Sequence, residues 1–172
     1  DVIIGTSGHG LLRLTDAKKA RQVGGALADI VGVRQMTEDS QNRLWIVTEE
    51  QGLVCFDGKK TTRYFQEDDL RTQLRAVREG KDKRIYLGTA QNGLFVLGEK
   101  GVFEHIAVTG DLPIVEIYSN SRGELMLGYD GKGFGIFNPQ TGILTDNPFY
   151  SIEIDLSLSK CYSITEDKMG NL

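Results

Sequence analysis

Glu49-Glu50 is an adjacent carboxylate pair of the kind that acid/base chemistry uses, and Glu38-Asp39 and Glu166-Asp167 repeat the theme. Clustered carboxylates could equally hold a calcium ion, which takes several oxygen ligands. Trp45 and Tyr86 could offer flat faces to the apolar side of a sugar ring. Ser7-Gly8-His9-Gly10 and Gly131-Lys132-Gly133 are glycine-rich, but a phosphate cradle wants a following helix, and strand-like runs follow both. His9 and His105 are isolated, so neither has the base or third ligand that nucleophilic or metal chemistry needs. These types therefore suggest binding by polar and aromatic groups, with no catalytic residue, no metal site and no cofactor assigned.

The elements that must position these residues repeat. Asn42-Arg43-Leu44-Trp45-Ile46-Val47-Thr48, followed by Gly52-Leu53-Val54-Cys55-Phe56, returns as Lys83-Arg84-Ile85-Tyr86-Leu87-Gly88-Thr89 with Gly93-Leu94-Phe95-Val96-Leu97. Val2-Ile3-Ile4-Gly5-Thr6 with Gly10-Leu11-Leu12 is an earlier copy, and Leu125-Met126-Leu127-Gly128-Tyr129 with Gly133-Phe134 a later one. The glycine before the second apolar run falls at Gly10, Gly52, Gly93 and Gly133, at intervals of 42, 41 and 40 residues. A period of this length signals propellers, solenoids or arrays.

Short runs rich in Val, Ile, Thr and aromatics, bounded by Gly, Asp and Asn, read as antiparallel strands joined by tight turns. They are expected over 2–6, 10–14, 20–23, 31–37, 44–48, 53–56 and 61–65, then 74–79, 84–89, 93–97 and 102–108. The next set covers 114–119, 124–129, 133–137 and 142–146, and a final first strand covers 160–166. Ala26-Leu27-Ala28-Asp29-Ile30 is helix-like but too short to stand as a helix, and is read as a connection. Four strands per unit of about forty residues is the signature of an all-β propeller. A β-sandwich would not need the repeat, and helical repeats would need longer apolar runs. The expected architecture is one β-propeller segment over 1–172, with units at about 1–42, 43–83, 84–123 and 124–170. The 160–166 strand either closes a four-bladed ring on 2–6 or, as the preferred expectation, continues a ring of about seven blades cut between repeats.

Bulk properties set outer limits. Charged residues at 26% and hydrophobic ones at 40% fit a folded chain rather than a disordered one. With 20 Lys+Arg against 24 Asp+Glu the net charge is −4, so the basic footprint that a nucleic-acid partner needs is missing. No stretch of about 18 apolar residues occurs, so this segment is expected to make no membrane contact. Cys55 and Cys161 lie in apolar runs without metal-like spacing and are read as free buried thiols.

The repeat weakens the sharper readings of the opening residues. Trp45 and Tyr86 occupy a second-strand packing position, and the recurring acidic pairs end first strands, where turn capping is the expected role. Glu49-Glu50 falls in a solvated turn. In an up-and-down blade, the turns between second and third strands emerge on the same side as the blade-to-blade connections, and such loops are where binding residues concentrate. That face would carry the candidate ligand-binding residues His9, Glu49, Gln51, Gln91, Asn92, Asp130 and Lys132, with Ser7, Asp68, Asp69, Arg71 and Asp111 beside them. Their amides and charges suit a hydroxyl-rich ligand.

Val33, Met36, Glu38, Asp39, Leu44, Trp45, Ile46, Thr48, Gly52 and Leu53 follow an order that resembles the two-component regulator propeller repeat. So do Val77, Glu79, Ile85, Tyr86, Gly88, Thr89, Gly93 and Leu94, and 1–6 and Glu166-Asp167 extend the likeness to both ends. Gly80 replaces the Asp, Ile3, Tyr86 and Met126 replace the Trp, and Tyr129 replaces the Thr. The resemblance implies a non-enzymatic sensor propeller in the periplasmic part of a hybrid two-component histidine kinase of Bacteroides-type bacteria, responding to glycan-derived oligosaccharides. It implies further blades and receptor domains of the same protein as partners, with a homodimer open. The alternatives are an interaction or dimerisation scaffold without ligand contact, and a propeller enzyme such as a lyase or glycosidase, for which no constellation is present.

Overall fold

The computed structural model describes residues 2–16, 19–67, 69–146 and 159–171. The expected contributions of Asp1 and Asp68 lie outside these residues. Among the described residues, fifteen strands form one three-stranded and three four-stranded antiparallel sheets, each in sequence order. The first holds β1 (Val2–Thr6), β2 (Gly10–Asp16) and β3 (Lys19–Gln22), and the second β4 (Val33–Glu38), β5 (Leu44–Thr48), β6 (Leu53–Phe56) and β7 (Thr61–Tyr64). The third is built from β8 (Leu74–Glu79), β9 (Ile85–Thr89), β10 (Leu94–Leu97) and β11 (Phe103–His105). The fourth comprises β12 (Ile114–Ser119), β13 (Leu125–Tyr129), β14 (Phe134–Asn138) and β15 (Ile143–Asp146). These lie in two compact units that divide at residues 74 and 75, two sheets to each.

Each unit has a core made between its sheets. In the first, Leu11 of β2 and Val23, Leu27 and Ile30 of the following connection pack with Ile46 and Val54 of the second sheet. In the second, Tyr86, Leu94 and Val96 of the third sheet pack with Ile114, Ile117 and Leu125 of the fourth. The second strands are covered on both faces, which is why β9 and β13 are buried at all five positions and read as apolar runs rather than alternating ones. Second-strand glycines set the close approach. A Cβ at Gly5 would strike Val33, one at Gly88 would strike Ile114, and one at Gly128 would press on Cys161.

Two expected strands differ. The run over 102–108 keeps its ladder only at Phe103–His105 and then turns into a 3-10 segment, Ala107–Thr109. There the buried Thr109 hydroxyl donates to the Ile106 carbonyl (2.7 Å) and accepts the Leu94 N–H (2.9 Å), bonds that pull the chain off the sheet edge. The expected strand over 160–166 is not a strand, because a ladder needs a neighbouring strand and none of the described strands pairs with it. It still docks on the fourth sheet: Cys161 N–H donates to Tyr129 O (3.0 Å), Gly133 N–H donates to Ser159 O (3.0 Å), and Glu166 accepts from the Ser121 N–H (2.8 Å) and hydroxyl (2.7 Å). The 26–30 stretch is a connection, as expected, with a 3-10 turn at Gly25–Leu27.

The periodic glycine is fixed by backbone geometry. Gly10, Gly52, Gly93 and Gly133 all have φ between 63° and 75°. A Cβ would collide with the carbonyl of Ile30 at Gly10, of Tyr64 at Gly52 and of Gly110 at Gly93. Gly52→Ala is therefore expected to destabilise the protein by more than about 3 kcal/mol, since strain and a backbone collision add. Gly58→Ala, at φ 92° with open space around the new methyl, should lose only about 1 kcal/mol from strain. Urea unfolding of the two variants beside the parent measures both.

Candidate functional site

Two polar devices hold the loops. At the end of the second strand, a threonine hydroxyl caps the turn on both sides. Thr48 Oγ1 donates to Gly52 O (2.8 Å) and accepts the Gln51 N–H (2.9 Å), and Thr89 does the same with Gly93 (2.9 Å) and Asn92 (2.9 Å). Thr6 repeats it with Gly10 (2.9 Å) and His9 (2.9 Å). In the fourth copy Tyr129 keeps the strand-to-turn bond through its backbone, N–H to Gly133 O (2.9 Å), while its hydroxyl reaches Asp146 (2.6 Å) on the outer strand.

At the end of the first strand, a carboxylate or amide gathers the turn. Asp39 is 4% exposed and accepts four donors: the Gln41 N–H (2.9 Å), the Arg43 N–H (2.9 Å), Arg43 Nε (2.6 Å) and the Trp45 indole (2.8 Å). The Arg43 guanidinium also lies over the Trp45 ring, 5.2 Å from its centroid, and Tyr64 stacks on that ring at 5.9 Å. Asn120 plays the part in the fourth sheet, accepting from Arg122 (3.0 Å) and Glu124 (2.9 Å) backbone, and Asp167 does so in the final turn with Met169 (2.8 Å) and Asn171 (2.9 Å). In the third sheet Gly80 stands where this residue would be, and Asp82 swings into the gap to accept from Arg84 N–H (3.2 Å) and the Tyr86 hydroxyl (2.6 Å). Turn capping thus holds for Asp39 and Asp167, and in the third sheet, where Gly80 takes the equivalent place, Asp82 supplies the cap. Trp45 and Tyr86 are both fully buried, so they pack and cannot stack on a ligand.

The second-to-third turns and the inter-sheet connections do meet within each unit. Val31 N–H donates to Gln51 Oε1 (3.0 Å), Gln51 Nε2 donates to Asp29 O (2.9 Å), and Glu49 N–H donates to Gly32 O (2.7 Å). In the second unit Gly93 N–H donates to Leu112 O (3.2 Å) and Asp130 N–H to Pro113 O (2.9 Å). His9, Glu49, Gln91, Asp130 and Lys132 are exposed at these junctions, and Asn92 is half-buried. Gln51 differs from the others because both ends of its amide are engaged in clamping the connection. Asp130 pairs with Lys160 (2.7 Å), and this bond raises the Lys160 pKa. Among the described residues no group of three His, Cys, Asp or Glu is placed to hold a metal ion. Cys55 is buried and free, its thiol pushed up to about 11 by desolvation, whereas Cys161 is free but only half-buried and lies outside a strand.

Residues that the sequence did not single out also gather here. Tyr162 is 81% exposed, and Phe134, Lys160 and Ser163 line a concavity with it. A comparison across repeats could have found Phe134, since the other copies carry Leu at that place.

Solved structures with this arrangement share little sequence with it. The extracellular domain assigned to the hybrid two-component system BT3049 of B. thetaiotaomicron superposes with a TM-score of 0.74 at 19% identity, over 98% of this chain and 24% of that one. The corresponding domain of BT4673 gives 0.67 at 24% identity, over 84% and 20%. The chain is an all-β propeller segment. It spans about a quarter and a fifth of those two structures. Virginiamycin B lyase from Staphylococcus aureus gives a TM-score of 0.61 at 13% identity, over 84% of this segment and 53% of the lyase. No protein-family model and no curated protein matches the sequence.

Asp39 offers a direct test of the cap. Burial raises its pKa, but the Trp45 indole and the Arg43 and Gln41 donors outweigh burial and hold it below its ordinary value of 3.8. The folded state therefore favours the ionised form: the stabilisation is fully present above pH 3.8 and is lost as pH falls through the lower folded value. Asp39→Asn would turn an NH2 toward the Trp45 indole N–H. It is expected to cost about 2–3 kcal/mol at neutral pH, with a difference from the parent that shrinks as acid protonates Asp39. Urea midpoints from pH 7 down to pH 2.5 check both parts.

Proposed function

We propose that this segment belongs to the non-enzymatic extracytoplasmic sensor region of a two-component receptor and responds to glycan-derived oligosaccharides. The observation that carries the proposal is the fold: its sheets superpose on extracellular domains assigned to hybrid two-component systems over 98% and 84% of the chain. The repeat motif, from the capping Thr to the turn Gly, supports the same source. No helix among the described residues is long and apolar enough to cross a membrane, which is compatible with a periplasmic location for this portion. The histidine kinase and further receptor domains would be supplied elsewhere in such a protein. The groups proposed to meet ligand hydroxyls are His9 and Glu49 in the first unit and Gln91, Asn92, Asp130 and Lys132 in the second, all on second-to-third turns. The four repeat units at about 1–42, 43–83, 84–123 and 124–170 would each contribute one such turn.

One observation favours a scaffold without ligand contact as the second reading. The Gln51 amide is occupied by the connection, so at least one candidate side chain serves the fold. Binding separates the two. A saccharide that binds the native state must raise the melting temperature with concentration, and at a hundred times Kd the stabilisation is about 2.7 kcal/mol. A thermal-shift series with malto-, cello-, xylo- and galacturono-oligosaccharides should show such a rise without saccharide turnover. A flat response throughout, with self-association in sedimentation, would put the scaffold reading first.

A further inference from the structure

The residue just before the turn cap is Glu38, Glu79 and Glu166 in three copies of the repeat, but Ser119 in the fourth sheet. Glu166 shows what a carboxylate does at this place. It crosses to the turn of the fourth sheet, where Oε2 accepts the Ser121 N–H (2.8 Å) and Oε1 the Ser121 hydroxyl (2.7 Å). One junction earlier, between the third and fourth sheets, the repeat sets Ser119 in the place of Glu166 and Lys81 in that of Ser121. A seryl side chain is too short for the crossing, and the Ser119 hydroxyl is buried without a hydrogen-bond partner. No described residue accepts the Lys81 N–H either. The two turns do touch: a Cβ at Gly123 would lie 3.6 Å from Lys81 Cβ. Both sheets are complete here, and all of 79–84 and 119–124 are described. A buried hydroxyl left unpaired carries a cost that folds avoid, so it calls for a cause.

We infer that this junction binds a small carboxylate from outside the segment, which takes the part that the Glu166 side chain plays one junction on. The Lys81 N–H donates to one oxygen, the Lys81 ammonium replaces the Ser121 hydroxyl as donor to the other, and the Ser119 hydroxyl gains an acceptor. A carboxylate accepts through both oxygens at about four lone-pair sites, enough for all three donors. Bonds from an ammonium to a carboxylate are strengthened by charge. That charge is not spent elsewhere. Lys81 and Lys83 are exposed and form no ion pair among the described residues. Asp82 is held by the Tyr86 hydroxyl (2.6 Å), and Glu124 by Asn120 (2.9 Å) and Arg122 (3.1 Å). Arg78, on the strand before the turn, is committed to the Ile117 carbonyl (3.1 Å) and to Glu116 (3.8 Å). Lys83 also keeps a left-handed φ of 67° where the other copies have Asn42, Gly123 and Gly170, residues better suited to it. A ligand seated here ties two sheets together, so its binding stabilises the junction itself.

The test follows the backbone amides of the full chain by NMR while sodium acetate or sodium succinate replaces sodium chloride at constant ionic strength and neutral pH. Saturating shifts centred on Lys81 and Ser119 are expected, with sodium phosphate, whose tetrahedral head differs from a glutamate's planar one, binding more weakly. Lys81→Ala keeps the N–H but loses the ammonium, and should weaken acetate binding about fivefold. Ser119→Ala should weaken binding without lowering the melting temperature in chloride, since it removes a hydroxyl that has no partner. Ser119→Glu supplies the carboxylate from within. It should raise the melting temperature in chloride and abolish the response to acetate. Amides of Lys81 and Ser119 that stay still in acetate and succinate would overturn the site. So would shifts of equal size and midpoint in the parent, Lys81→Ala and Ser119→Ala, a comparison that stands even where Ser119→Glu does not fold.

Discussion

The close passage of one backbone over another, at the glycine that follows each second-to-third turn, is the constraint on which the rest depends. At Gly10, Gly52 and Gly93 the chain leaving one sheet for the next crosses so near that a carbonyl fills the space of a Cβ. The same residue needs a left-handed φ to reverse the strand, so two separate demands select glycine at one position. Because each crossing happens once per sheet, the glycine recurs once per repeat. The nearly constant interval is thus a geometric record of sheet succession.

Around that crossing, polar atoms are satisfied by neighbours close in sequence. The threonine cap spans four residues, and the Asp39 cap spans six to reach the Trp45 indole. Local closure of this sort allows strands as short as four residues to end cleanly at both sides, leaving the apolar runs free to pack on both faces. The price falls on outer strands such as β3 and β11, which gain little burial.

Strand positions in the inner three places of each unit were legible in the sequence because apolar runs, turn residues and the period all agreed there. Burial of Trp45 and Tyr86 followed from the same agreement. The outer and terminal parts were harder. Residues 102–108 have β-type composition throughout, but Thr109 finds a better partner in Ile106 and Leu94 than a ladder could offer, and nothing local announces that choice. The 160–166 segment has a first strand's sequence without a strand's pairing, since sequence pattern encodes the capacity to pair and not the partner. Among the candidate site residues, the placement of the turns beside the connections could be deduced from up-and-down topology. The engagement of Gln51 could not, because it depends on where the 29–31 backbone happens to pass.

The exchange between Asp39 and the Gly80–Asp82 pair bears on how such a chain can diverge. In one sheet the acid stands at the strand end; in the next it has moved two residues on, and a glycine vacates its former place. Restoring Asp at position 80 would bring a second carboxylate against Asp82, and removing Asp82 first would strand the Tyr86 hydroxyl. Neither single step passes through a well-satisfied intermediate. Repeats that look interchangeable in an aligned sequence are therefore separated by epistasis, and blades can be duplicated or recombined whole far more readily than residue by residue.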